Sequence, residues 1–177
     1  MNSLVQQQIV ISGVGGQGVL FVTRLLAEAA IKKGCRVFTS ETHGMAQRGG
    51  TVLSHLKAGE FTSPLIRSFK ADGILALKSE NMIQHSSFLK PGAWAVINSP
   101  KPFASNASAS FIDADRLAEK ISSPKSVNLI LLGFALAKVP DMFCTFEDIK
   151  LVVEDQLKDK KELLKSSLKA VETGYEQ

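Results

Sequence analysis

The sequence predicts an α/β fold, a doubly wound and mostly parallel sheet, and three observations carry that prediction. Apolar runs of strand length alternate with segments of helical periodicity. The first run, residues 8–12, ends in a glycine-rich turn, Gly13-Val14-Gly15-Gly16-Gln17-Gly18, that opens directly into a helical segment. No internal repeat and no long linker divides the 177 residues, so residues 1–177 read as a single domain with C-terminal helices.

Each element follows from its residues. The continuous apolar run 8–12 predicts a central strand buried on both faces. Leu20, Phe21, Arg24, Leu25, Glu28 and Ala29 recur at helical spacing, which predicts a helix over 18–33 that Gly34 ends. Residues 36–40 form a short second strand, giving a right-handed βαβ start. A polar, glycine-containing segment, 41–50, follows, and 51–57 then alternates as a strand. Residues 74–77 predict another apolar strand, 79–89 a helix stopped by Pro91-Gly92, and 94–98 a further strand. The Ser-, Ala- and Pro-rich stretch 99–110 predicts a loop, or a loop with an edge strand, before a short strand over 111–114. A helix over 115–121 starts on an acidic cap. Helices over 127–138, 145–157 and 160–173 complete the chain, and Thr145 with Asp148 has the spacing of a capping box.

Composition narrows the function classes. Apolar residues at 45% and charged residues at 21% are ordinary for a soluble globular protein. The net charge of +4 is mild, and the C-terminal lysines interleave with acids, which predicts a solvated helix face. No aromatic platform accompanies the basic residues, so nucleic-acid binding is not expected. The polar start lacks the pattern of a signal peptide, and no apolar run reaches the roughly 18 residues of a membrane helix. Cys35 and Cys144 stand far apart with no CxxC, which predicts a cytoplasmic protein with two small buried thiols and no disulfide.

The glycine turn is the candidate binding feature. Backbone without a Cβ approaches a phosphate closely, and a helix start adds unpaired N–H groups and partial positive charge. Ligands of such folds sit at the carboxyl ends of the strands, where the turn, residues 41–50 and the region after Leu77 are expected to gather. Arg48 beside Gly49 and Gly50 offers a guanidinium suited to phosphate or carboxylate. His43 reads as a positioning or interface residue, while His55 and His85 read as structural. Glu41 is the one acid placed to meet a dinucleotide ribose, and it comes late, so a free-standing NAD(P)-binding Rossmann oxidoreductase is an alternative. An interaction module whose glycine turn serves only packing is another. The chain has no metal-ligand cluster, no cysteine series for an iron–sulfur cluster, no GxSxG elbow, no thiamine-diphosphate motif and no P-loop lysine, so no catalytic residue is assigned to it.

The turn with Val19-Leu20, the segment Glu41-Thr42-His43-Gly44-Met45-Ala46-Gln47-Arg48-Gly49-Gly50, and Ala71-Asp72 before an apolar strand together resemble the gamma-type domain of 2-oxoacid:ferredoxin oxidoreductases. The wording around His43 and Arg48 is nearest to the beta subunit of the indolepyruvate-type enzymes, and the gamma subunits of pyruvate or 2-oxoisovalerate enzymes are the alternative within the family. Asn128 through Gly133 and Ala170 through Tyr175 are similar to the family's later segments, so the resemblance spans essentially the whole chain. It implies a Rossmann-like fold and a complex that oxidatively decarboxylates arylpyruvates to aryl-acetyl-CoA and reduces ferredoxin. Thiamine diphosphate and iron–sulfur clusters would reside on a large alpha subunit, with none on this chain. It further implies coenzyme A contacts at Gly13, Gly15, Gly16, Gln17, Gly18, Arg48 and Gly49, and a position facing the partner or substrate for Glu41, His43, Met45 and Gln47.

Overall fold

A computed structural model describes residues 5–43 and 50–177. The chain runs β1 (Gln7–Val14), α1 (Val19–Lys32), β2 (Val37–His43), β3 (Thr51–Ala58), β4 (Ala71–Ala76), α2 (Ser79–His85), β5 (Leu89–Asn98), β6 (Ser108–Ile112), α3 (Ala114–Lys120), α4 (Val127–Lys138), α5 (Phe146–Leu157) and α6 (Lys161–Tyr175). The six strands form one sheet in the order β2-β3-β1-β4-β5-β6. Neighbours β1, β4, β5 and β6 pair in parallel, while β3 runs antiparallel to both β1 and β2. The fold is thus α/β with helices on both faces, as the alternating pattern predicts.

The βαβ start is modified. Helix α1 carries the chain from β1 to β2, but the two strands do not pair, because β3 returns between them. The alternation over 51–57 reads as a half-buried strand. The structure instead buries Val52 through Ala58 on both sides, including the polar Ser54, His55 and Lys57. Polar side chains at interior positions gave a central strand the pattern of an edge.

Two boundaries shift for local reasons. Helix α2 ends at His85 and tightens into a 3-10 turn, Ser86–Phe88. Pro91-Gly92 therefore does not stop a helix but lies inside β5. The pairing of β4 with β5 changes register between Ala71 and Gly73, an irregularity beside which a proline is tolerated. Trp94 packs so closely on Gly73 that any Cβ there would collide with the indole. The stretch 99–107 is a loop, and the edge strand is β6 itself, which begins earlier than 111, at Ser108, and ends at Ile112.

The cap of α5 is the one its spacing predicts, whereas the acidic cap of α3 is Asp113, which falls within the expected strand over 111–114, so α3 starts at Ala114 rather than 115. Asp113 accepts from the Arg116 N–H at 3.0 Å to start α3. At α5 the capping box is complete: Thr145 Oγ1 accepts from the Asp148 N–H, and Asp148 Oδ2 accepts from the Thr145 N–H at 2.8 Å.

Helices α1, α3, α4, α5 and α6 cover the first face and share its core with Ile9, Ile11, Leu56, Leu75 and Val96. The buried stripe of α1 includes Val22, Leu25, Leu26, Ala29 and Ala30, whereas Leu20 is exposed. Helix α4 is buried continuously from Asn128 to Ala135. It crosses α6 at two glycines: a Cβ on Gly133 would strike the Val171 carbonyl, and one on Gly174 would strike the Ile130 carbonyl. Among the described residues, the second face has only α2, the 3-10 turn and irregular segments over Val10, Leu53, Ile74, Ala95 and Ile97.

Candidate functional site at the carboxyl edge

The glycine turn, the described ends of the 41–50 segment at His43 and Gly50, and the region at Leu77 meet at the carboxyl ends of β1 and β4. Thr51 stands opposite Val14, and His43 opposite Val52. The Gly15 N–H donates to the Gly50 carbonyl at 3.0 Å, and the Leu77 N–H donates to the Ser12 carbonyl at 2.8 Å. This is also the switch point of the sheet, since β1 leads away to β2 on one side while β4 and β5 extend the other.

The glycines of the turn have separate roles. A Cβ on Gly13 would press into the Val19 and Leu77 side chains. Gly18 has φ +77°, and a Cβ there would strike the carboxamide of Asn128, whose Nδ2 donates to the Gly18 carbonyl at 3.2 Å. Gly16 has φ +91°, and a Cβ there would meet nothing within 4 Å among the described residues, so its open side faces away from them. Gln17 closes the loop: its Oε1 accepts from the Val14 N–H at 2.8 Å, and its own N–H donates to the Val14 carbonyl at 3.1 Å. Both backbone donors of Gly15 and Gln17 are therefore committed inside the fold. Among the described residues, the N–H groups of Gly16 and Gly18 have no acceptor. Two donors beside a helix start, with open space at Gly16, suit an anionic oxygen.

Sequence reasoning missed Asn81, in the first turn of α2. It is buried, its Nδ2 donates to the Gly13 carbonyl at 3.4 Å, and its Oδ1 finds no donor among the described residues. The polar Ser-Glu-Asn opening of α2 after Leu77 was the available signal. Asn98, at the end of β5, is fully engaged: it donates to the Leu77 carbonyl and to Asp115, and its Oδ1 accepts from the Ala114 N–H at 2.9 Å.

The histidines read as structural are so. His85 Nδ1 lies 2.8 Å from Ser12 Oγ, and His55 Nδ1 accepts from the Ile66 N–H at 3.3 Å. Burial lowers the pKa of both, and nearby Lys57 lowers His55 further. Cys144 is buried and its thiol is pushed up to about 12, chiefly by desolvation, which leaves it unreactive. Glu41 is exposed on β2 and pairs with Ser54 of β3. The intervening β3 sets it one strand farther from the turn than a ribose-binding acid requires. Met45, Gln47, Arg48, Gly49 and the side chain of His43 lie outside the described residues. Among the described residues, no group of three His, Cys, Asp or Glu could hold a metal, and no helix is long and apolar enough to cross a membrane.

The pyruvate ferredoxin/flavodoxin oxidoreductase family model matches residues 8–177. The chain belongs to this family. It is 30% identical to the indolepyruvate oxidoreductase subunit IorB of Archaeoglobus fulgidus, over 96% of this chain and 94% of that protein. The IorB subunit of Thermococcus kodakarensis is also 30% identical, over 84% of this chain and 85% of its own length. A keto/oxoacid ferredoxin oxidoreductase gamma subunit from Geobacter sulfurreducens has the same fold, with a TM-score of 0.78 at 23% identity and 96% of each chain covered. The 2-oxoglutarate:ferredoxin oxidoreductase of Magnetococcus marinus, solved with 2-oxoglutarate, coenzyme A and succinyl-CoA, contains the fold too. There the TM-score is 0.77 at 23% identity, covering 96% of this chain and 30% of that one. The chain is an oxidoreductase subunit, and its relatives are subunits of 2-oxoacid:ferredoxin oxidoreductases.

Proposed function

We propose that this chain is the small subunit of a cytoplasmic, indolepyruvate-type ferredoxin oxidoreductase, and that its glycine turn holds the phosphate end of coenzyme A. The large partner subunit would carry thiamine diphosphate and the iron–sulfur clusters, and ferredoxin would meet the complex rather than this chain. The unpaired N–H groups of Gly16 and Gly18, beside the open side of Gly16, carry the reading. They fit an anion because the remaining donors of the turn are already spent on Val14 and Gly50. Asn81, with a buried and unsatisfied Oδ1 next to Gly13, supports it by offering an acceptor for an amide or hydroxyl donor of the same ligand. Bound coenzyme A supplies the thiol that accepts the acyl group. The residues of this chain bind and orient it and take no part in proton transfer.

The test is Gly16→Ala in the assembled enzyme. At φ +91° a Cβ strains the backbone by about 1–2 kcal/mol and narrows the approach to the two donors. The KM for coenzyme A should rise about tenfold, while the KM for the 2-oxoacid and the yield of complex stay near wild type. An unchanged KM for coenzyme A would refute the contact. The same assay with indolepyruvate, pyruvate and 2-oxoisovalerate checks the substrate class, and preference for either of the last two would refute the indolepyruvate type.

A further inference from the structure

The second face of the sheet holds cations that have no counter-charge among the described residues. Lys57, on β3, is only 7% exposed. Its ammonium lies 5.1 Å from the ring centroid of Phe61, and no carboxylate pairs with it among the described residues. Arg67 sits close enough to depress the Lys57 pKa, in addition to burial, and it too has no acidic partner among the described residues. The nearby acids are engaged elsewhere. Asp72 bonds Lys90 and the Gln8 N–H, and Glu60 pairs with Arg36 at 3.1 Å. A lysine this enclosed ordinarily has an anion beside it, since an unpaired buried charge is costly.

The segment that carries Arg67 also borders an apolar cleft. Its Phe69 N–H and Lys70 N–H donate to the Ser87 and Phe88 carbonyls, which lays it along the 3-10 turn after α2. Beyond it a cleft of about 720 Å³ opens, lined by Phe69, Met82, Ile83, Leu89 and Phe103. Phe69 is 63% exposed and Ile83 70% exposed. A free phosphate would satisfy the cations but leave this surface bare. Apolar surface beside unmatched positive charge is instead the complement of an apolar segment bearing carboxylates.

We propose that this face docks the large subunit of the oxidoreductase complex through such a segment, an apolar side chain seating in the cleft beside Ile83 and a carboxylate meeting Lys57 and Arg67. The inference rests on the chain being a subunit. The contact is separate from the carboxyl-edge turn: the cleft is lined by Leu89 through Gly92, at the opposite end of β5 from Asn98.

The experiment uses the tagged complex. A photo-crosslinking residue replaces Ile83, and another replaces Leu151, which is exposed on α5 of the opposite face. The large subunit is identified by mass spectrometry and by its visible iron–sulfur absorption. Crosslinks to it from position 83 and not from 151 are expected. Arg67→Glu should weaken its retention at least tenfold, because the substitution turns attraction into repulsion. If no large subunit accompanies the wild-type chain, the assignment as a subunit fails. If it accompanies the chain but position 83 links to a second copy or to nothing, the docking face is wrong. Retention unchanged in Arg67→Glu overturns the acidic segment.

Discussion

The two faces of the sheet solve the same burial problem to different degrees. On the first, helices α1, α3, α4, α5 and α6 seal the strands, and the glycines of α4 and α6 let the backbones touch. On the second, one short helix and irregular segments cover only part of the apolar surface, and Phe69, Ile83 and Leu65 stay exposed. The first face holds the larger of the two buried cores. The second buries a smaller core of its own and leaves these apolar side chains at the surface. The glycine turn lies on the border between them, held by Asn128 from the first and approached by Asn81 from the second.

The contrast can be broken most forcefully at Gly133. Gly133→Leu drives a side chain into the Val171 carbonyl, so α4 and α6 must separate. A loss of at least about 3 kcal/mol is expected in urea unfolding. A melt close to wild type would show that the crossing does not govern the first face.

The next effect is on the second face and depends on pH. His55 and His85 have lowered pKa values in the folded chain, chiefly through burial. The unfolded chain therefore binds more protons as pH falls through about 6.5. Their contribution is fully present above that pH and is lost as pH drops below it toward their lowered folded values. The slope should reach up to about 1.4 kcal/mol per pH unit for each histidine. Unfolding free energies measured between pH 7.5 and 5 check the sign, and His85→Gln should flatten the profile. A profile already flat in the wild type would mean that neither ring resists protonation.

The smallest effect is expected at Ile83. It is 70% exposed, so Ile83→Ser should change the stability of the chain by no more than about 0.5 kcal/mol. A loss of 2 kcal/mol would show that the second face is already a completed core.

The sequence was most legible where local chemistry acts alone. The apolar run of β1, the glycine turn, the C-terminal helices and the Thr145–Asp148 box announce themselves within a few residues. It was least legible where distant partners decide. Nothing local says that β3 returns between β1 and β2, because Ser54, His55 and Lys57 disguise an interior strand as a half-exposed one. In the turn, residue types indicated where a ligand could approach, but not which donors remain available. Gln17 reads as a ligand contact, yet its side chain bonds Val14, and Gly13 and Gly18 are required by their neighbours' side chains. Of Gly13, Gly16 and Gly18, Gly16 alone has a geometry that contacts among the described residues do not explain. Asn81 escaped notice because its position beside Gly13 depends on α2 folding back over β1.

Helix α4 gives the C-terminus of the chain an influence on the other end. Asn128, near its start, grips the carbonyl of Gly18, and Gly133 interlocks with α6. The Val171 and Ile130 carbonyls act as teeth that fix how far α6 can slide along α4. Tyr175, at the end of α6, is in turn clasped against Phe146 with ring centroids 4.7 Å apart. The last turn of the chain is thus geared to the first turn after β1. A fusion or truncation that lifts α6 would tilt α4 and loosen its hold on Gly18.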